Sequence, residues 1–166
     1  EEPLDMRYGS ESQKSKVKSQ KSASELLNEL DESELEKIFI EYGEEKLSRE
    51  IAKAITEKRK IKEIKQVSDL VEIILEIYRA KLNTEKQVPW VGGLHPATKV
   101  FQALRIAVND ELGAIEKVLP QAIEVLASGG RLAVMTFHSL EDRIVKHFFK
   151  SNKLIKIITK KPIVCS

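Results

Sequence analysis

The chain has 166 residues, of which 42% are hydrophobic and 33% are charged, and its formal net charge is +2. This size and composition are typical of one folded domain and exclude a disordered protein. No apolar run reaches the roughly 18 residues of a membrane helix, and the single cysteine, Cys165, excludes a disulfide framework or a cysteine-cluster zinc site. Since the N-terminus does not resemble a signal peptide, the sequence predicts a cytoplasmic protein with no membrane partner.

The charge is distributed unevenly along the chain. Residues 1–94 carry 17 basic and 20 acidic side chains, whereas residues 95–166 carry 11 and 6. Between Arg143 and Lys161 there are seven lysines or arginines and no acid. A field of this kind attracts phosphate backbones. An RNA-binding surface and an ordinary solvated face are equally good interpretations of it.

The N-terminal half divides into a loop and a helical domain. Residues 1–21 are predicted to form an N-terminal segment and a mobile lysine-rich loop. Residues 10–22 contain one apolar residue in thirteen, which is too few to hold a packed element. Residues 22–82 are predicted to form three helices. Ser22 with Glu25, and Ser33 with Glu36, have capping-box spacing.

The apolar spacing of residues 35–82 indicates a small helical bundle, which is a binding or structural module. One stripe, from Leu35 to Tyr42, ends at Gly43, and a second helix is expected over residues 47–58. Ser68 would cap a third helix, whose predicted buried side contains Leu70, Ile73, Ile74, Ile77 and Leu82.

Residues 83–94 form a predicted linker, and His95-Pro96 then opens a long helix that Pro120 should break or kink. Apolar residues border a narrow polar stripe on this helix, made of Thr98, Gln102, Arg105 and Asn109. A stripe so narrow predicts polar groups buried against a partner, a cleft or other backbone. Hydrogen bonding between elements of the chain itself is an equally good explanation.

The C-terminal part predicts alternating helices and strands. Residues 131–137 and 154–159 have the composition of buried strands, and a helix is expected over residues 140–150. The expected fold class is therefore mixed α/β and mostly helical. His138 and Ser139 would lie at the carboxyl end of the first strand, where open sheets bind ligands. Alternatively, Ser139 and Asp142 only cap the helix.

The residues alone define no complete catalytic site. The seven glycines form neither a dinucleotide-binding loop nor a Walker loop, and there is no nucleophile elbow. No histidine or cysteine pair has metal-ligand spacing, so no metal is predicted.

Five runs of residues carry a family resemblance that extends over residues 3–162. They are Pro3-Leu-Asp-Met-Arg7; Tyr42-Gly-Glu-Glu45; His95-Pro-Ala-Thr-Lys-Val-Phe-Gln-Ala-Leu-Arg-Ile-Ala-Val-Asn-Asp-Glu-Leu112; Gly129-Gly-Arg-Leu132; and Phe137-His-Ser-Leu-Glu-Asp-Arg-Ile-Val-Lys146. In these runs the chain resembles the bacterial 16S ribosomal RNA cytosine-N4 methyltransferases, the MraW or RsmH family.

The resemblance implies an enzyme that uses S-adenosylmethionine to methylate the N4 amine of a cytosine in 16S ribosomal RNA. It implies a class I, Rossmann-like methyltransferase sheet with an inserted helical domain. Residues 22–82 resemble the inserted helices, and residues 95–166 resemble the return to the methyltransferase domain. The family's cofactor residues lie upstream of the part resembled here. The resemblance therefore implies a C-terminal fragment with an incomplete sheet and no cofactor-binding residues, inactive alone.

The same resemblance names residues near the target base. The candidates for the substrate pocket are Asp5, Arg7, Arg105, Asn109, His138 and Ser139. The candidates for binding RNA phosphates are Arg143, Lys146, Lys150 and Lys153. The implied partner is 16S ribosomal RNA or the small ribosomal subunit, and whether the parent enzyme is a homodimer stays open. The alternatives to an enzyme are a helical RNA-binding module without catalysis and a non-functional remnant.

Overall fold

The computed structural model describes residues 2–9, 20–84, 88, 90, 93–159, 161 and 163. This part of the chain contains seven α-helices: α1 (Ala23–Glu29), α2 (Glu32–Glu41), α3 (Ser48–Lys58), α4 (Val67–Leu82), α5 (Thr98–Asn109), α6 (Glu111–Glu124) and α7 (Ser139–Ser151). The helices belong to two compact units, residues 1–109 and 110–166. None of the described helices is long and apolar enough to cross a membrane. The mostly helical character is confirmed, and the predicted domain boundaries stay predictions.

Three helices of the first unit begin at polar caps. The Ser22 hydroxyl accepts a hydrogen bond from the Glu25 N–H (3.2 Å), and the Glu25 carboxylate accepts one from the Ser22 N–H (2.7 Å), which confirms the first predicted capping box. The predicted capping box of Ser33 with Glu36 was wrong. The capping box of α2 is formed by Asp31 and Glu34 instead. Ser68 does not cap α4, which begins after Gln66.

The first unit has one continuous hydrophobic core. Leu35 and Phe39 of α2 are completely buried and pack in one cluster with residues of α3, α4 and α5. The predicted buried side of α4 is confirmed for Leu70, Ile73 and Ile74. Leu82 is 46% exposed, because it is the last residue of α4.

A glycine allows α2 and α5 to approach each other closely. A Cβ atom on Gly43 would lie 2.7 Å from the carbonyl oxygen of Lys99 and 2.8 Å from that of Phe39. Both neighbours are backbone atoms, which cannot move aside easily. Any larger residue at position 43 would therefore separate the end of α2 from the start of α5.

The predicted long helix is divided at a different place than expected. Asp110 adopts a left-handed conformation (φ 48°, ψ 44°) and separates α5 from α6, whereas Pro120 lies inside α6. Aspartate tolerates this conformation better than most residues. A Cβ atom on Gly113 would collide with the Asp110 carboxylate, and Lys117 pairs with the same carboxylate at 3.0 Å.

The second unit buries little apolar surface. Among its described residues, the buried apolar side chains are Leu119, Leu140 and Val145. The predicted strands over residues 131–137 and 154–159 are not formed in the described chain. A strand needs a neighbouring strand to pair its backbone groups, and the second unit offers neither segment a neighbouring strand among the described residues.

Candidate functional site

The N-terminal segment folds into a turn that is fixed to the first unit, and we name residues 4–8 the Met6 turn. Leu4 is buried, its N–H donates to the carbonyl of Lys65 (2.9 Å), and its carbonyl accepts from the Ser24 N–H (2.9 Å). The carbonyl of Asp5 accepts from the Ala23 N–H (2.8 Å). The turn is therefore attached to the first residues of α1 and to the segment before α4.

Met6 has a positive φ of 64°. A non-glycine residue keeps this conformation only where its surroundings hold it, and such residues concentrate at functional sites. The sequence gives no signal for it, since methionine has no preference for this region.

Asp5 and Arg7, on either side of Met6, form an ion pair with each other. Arg7 Nε donates to Asp5 Oδ1 (2.6 Å) and Nη2 donates to Oδ2 (3.2 Å), which is a bidentate geometry. Both side chains are 24% exposed. The pair holds the carboxylate in one orientation while leaving part of it accessible.

The polar stripe of α5 bonds to backbone of the same unit. Gln102 Nε2 donates to the carbonyl of Tyr42 (3.0 Å), and Asn109 Nδ2 donates to the carbonyl of Met6 (2.9 Å). Both residues are half-buried, and these bonds agree with the alternative prediction of hydrogen bonding within the chain itself. Arg105 is half-buried and its carbonyl accepts from Asn109 Nδ2 (2.8 Å), whereas Thr98 is exposed.

The last residue of the Tyr42–Glu45 motif is a buried carboxylate that accepts two hydrogen bonds. Glu45 is 3% exposed, and its Oε1 accepts hydrogen bonds from the Tyr78 hydroxyl (2.9 Å) and from the Leu47 N–H (3.0 Å). Burial, together with this bond to Glu45, raises the pKa of Tyr78, so the tyrosine remains a donor at all physiological pH values. The hydrogen bonds of Glu45 to Tyr78 and Leu47 therefore hold residues 45–47, just before α3, against α4.

In the second unit, His138 is the N-cap residue of α7 and Ser139 is its first helical residue. The alternative prediction that Ser139 caps the helix was therefore wrong. Glu141 Oε2 accepts from the Phe137 N–H (2.6 Å), and Oε1 lies 3.4 Å from His138 Nε2. The side chain of His138 is 12% exposed, while Ser139 is exposed.

Glu111, His138 and Glu141 place one ligand atom each within 4.8 Å of one another. This spacing is short enough for a divalent cation. The position of Glu141 is already explained by its hydrogen bond to the Phe137 N–H at the start of α7. The sequence missed this trio because Glu111 is 27 residues before His138, so no local spacing connects the two.

The phosphate candidates lie along the exposed part of α7. Arg143, Lys146 and Lys150 are spaced i, i+3 and i+7, which puts them on one face of the helix. All three are exposed, and Lys153, just after the helix, is exposed as well. This arrangement can contact successive phosphates of a nucleic acid.

The structure brings together three of the predicted pocket residues. Asp5, Arg7 and Asn109 belong to or contact the Met6 turn in the first unit, whereas His138 and Ser139 lie in the second unit. The role of each in a pocket stays a prediction. Sequence reasoning missed Gln20, whose Nε2 donates to the carbonyl of Val108 (2.8 Å). The predicted lysine-rich loop lies largely outside the described residues.

Two shallow cavities formed by described residues do not fit a nucleoside cofactor such as S-adenosylmethionine. They are lined by Gln20, Lys21, Leu26, Ala107 and Val108, and by Arg79, Ala80, Asn83 and Thr84. Neither has an acidic side chain for a ribose diol or a glycine-rich backbone at the end of a strand.

Comparison with known proteins identifies relatives along the whole chain. Residues 1–166 match the family model described as the MraW methylase family. A ribosomal RNA small subunit methyltransferase H from Heliobacterium modesticaldum is 46% identical over 99% of this chain and 54% of its own length. Proteins of the same name from Dictyoglomus thermophilum (47% identity, 96% of this chain, 48% of the relative) and Synechocystis sp. (46%, 98%, 48%) are equally similar. The chain spans about half the length of these curated relatives.

Proposed function

Because this chain belongs to the MraW methylase family, we propose that it is part of a longer enzyme that methylates the N4 amine of a cytosine in 16S ribosomal RNA. The match over the whole chain, with about 46% identity to methyltransferases named for the small ribosomal subunit, carries the proposal. The methyl group comes from S-adenosylmethionine, bound by a part of the enzyme outside this chain. The apolar segments 131–137 and 154–159 are strands of a class I methyltransferase sheet in that enzyme.

The chain supplies residues for the target side of the reaction. The cytosine N4 amine is a weak nucleophile because its lone pair is delocalised into the ring, so orientation contributes much of the rate. A carboxylate is the side chain that accepts hydrogen bonds from cytosine N4. Asp5, partly exposed and held by Arg7, has the right chemistry for this acceptor.

His138, Ser139 and the basic face of α7 have complementary roles. His138 and Ser139 are the candidates of the second unit for contact with a flipped-out base, and Arg105 is a candidate of the first unit. Arg143, Lys146, Lys150 and Lys153 hold phosphates of the ribosomal RNA and so position the small subunit, which is the proposed partner.

A methyl-transfer assay tests the function. The assay uses an enzyme that contains this chain and is as long as its relatives. This full-length enzyme is incubated with labelled S-adenosylmethionine and unmethylated small ribosomal subunits. We expect about one methyl group per subunit, recovered as N4-methylcytosine after digestion. Methylation of another base, or no transfer, would contradict the proposal.

Variants of the same enzyme test the residues. Asp5→Asn should lower kcat about 100-fold, since the amide replaces one acceptor oxygen by a donor. Glu76→Gln, which removes a partly exposed carboxylate on α4, is the matched control and should stay within about twofold. If His138→Ala left methylation unchanged, the assignment of His138 to the pocket would be wrong.

A further inference from the structure

The side-chain amide of Asn109 has its full complement of hydrogen bonds within the protein. Nδ2 donates to the carbonyls of Met6 (2.9 Å) and Arg105 (2.8 Å). Oδ1 accepts from the Tyr8 N–H (2.9 Å) and from Gln20 Nε2 (3.2 Å). An asparagine amide has two donor hydrogens and two acceptor lone pairs, so no capacity remains for a substrate.

Three of these four bonds leave the helix to which Asn109 belongs. Two of them hold Met6 and Tyr8, which lie on either side of Arg7. Met6 is the residue with the positive φ, and its conformation sets the relative direction of the Asp5 and Arg7 side chains. On the opposite side, buried Leu4 fixes the start of the turn in the core.

From this geometry we infer that Asn109 is a positioning residue: through Met6 and Tyr8 it holds the Met6 turn in the conformation that directs the Asp5 carboxylate to the target base. The inference rests on the proposed function. Asn109 itself touches no substrate. It acts on the reaction only through Asp5.

Asn109→Asp is the most selective substitution, because it keeps the shape and both acceptor sites and removes both donors. The new carboxylate would face the carbonyls of Met6 and Arg105, which repel it. Gln102→Ala is the matched control. Gln102 lies seven residues earlier on the same face of α5, and its Nε2 also donates to a turn carbonyl, that of Tyr42 (3.0 Å).

In the full-length enzyme we expect Asn109→Asp to lower kcat about 100-fold, the size that a misplacement of about 1 Å can cause. KM for the small subunit should change less than threefold, because RNA contacts elsewhere are kept. Amide hydrogen exchange at Tyr8 should accelerate at least tenfold. Gln102→Ala should leave kcat and the Tyr8 amide within threefold of the wild type.

A double variant separates positioning from a general structural effect. If Asn109 acts through Asp5, then Asn109→Asp in an Asp5→Asn background should lower kcat less than threefold further. Multiplication of the two effects would overturn the inference, and so would faster exchange at Tyr8 with unchanged kcat. Failure of the wild-type enzyme to methylate would refute the proposed function, while unchanged Tyr8 exchange in Asn109→Asp would separately refute the positioning role of Asn109.

Discussion

The two compact units of the chain differ in how many of their apolar side chains they bury. Among the described residues of the first unit, twenty buried apolar side chains form one cluster. In residues 110–166 the described part buries three, while Met135, Phe137 and Leu154 are each at least 80% exposed. The first unit has a complete core, whereas the second presents strand-like segments with nothing described to cover them. This difference supports the proposal that segments 131–137 and 154–159 are strands of a larger sheet.

The largest expected loss of stability comes from substituting a phenylalanine of the first unit, with a phenylalanine of the second unit as the comparison. Phe39 is completely buried and Phe137 is 82% exposed. Phe39→Ala should reduce the free energy of unfolding by about 3–5 kcal/mol, through lost burial and the cavity left behind. Phe137→Ala should change it by less than about 0.5 kcal/mol. Urea unfolding followed by far-ultraviolet circular dichroism measures both, and equal losses would contradict the comparison.

Substitution of Arg59 tests whether polar contacts also stabilise the first unit. Arg59 Nη1 donates to the carbonyls of Leu27 and Leu30, both at 2.6 Å, at the end of α1. Arg59→Ala should cost about 2 kcal/mol, because two carbonyls lose a charged donor. Lys60→Ala, at an exposed neighbouring position, serves as the control and should be close to neutral. A neutral Arg59→Ala in the same urea experiment would show that water replaces the guanidinium.

A smaller loss is expected at the start of α1. Ser22→Ala removes the hydroxyl that accepts from the Glu25 N–H and should cost about 1 kcal/mol. Ser33→Ala is the matched variant, because the sequence alone favoured Ser33 as a cap and the structure places it inside α2. Thermal unfolding of the two variants should separate them, and a larger loss at Ser33 would support the original prediction.

The smallest effect is a pH dependence at the same cap. Hydrogen bonds from the Ser22 backbone and hydroxyl lower the pKa of Glu25 below its ordinary value of 4.5. Since the folded state holds the ionised form, Glu25 stabilises the chain at neutral pH, and this contribution is lost as the pH falls below 4.5. The stability difference between wild type and Glu25→Gln should therefore shrink from pH 7 to pH 3. A difference that stays constant over this range would exclude a role for the charge.

The sequence predicted the helices better than their ends. Apolar periodicity located α2, α3 and α4, since each buries one stripe in a shared core. Two overlapping boxes, Asp31 with Glu34 and Ser33 with Glu36, have the same spacing, so spacing alone did not distinguish them, and the structure forms the first. The break at Asp110 was missed, because proline is a stronger signal than an aspartate that adopts a left-handed conformation.

For the candidate site, residue types were easier to predict than contacts. The polar stripe indicated that Gln102 and Asn109 bond to backbone, but not which backbone. The link between Asn109 and Met6 connects residues 103 positions apart, and no local pattern encodes it. The two expected strands share this difficulty, because a strand forms only with a neighbour to pair with.

We propose that this chain supplies the target side of the reaction and that the cofactor site lies elsewhere in the enzyme. Calorimetric titration with S-adenosylmethionine examines this proposal, with the 166-residue chain and the full-length enzyme measured side by side. We expect micromolar binding to the full-length enzyme and no heat with the chain, whose circular dichroism spectrum should still be helical. Micromolar binding to the chain alone would show that the cofactor site lies within these 166 residues.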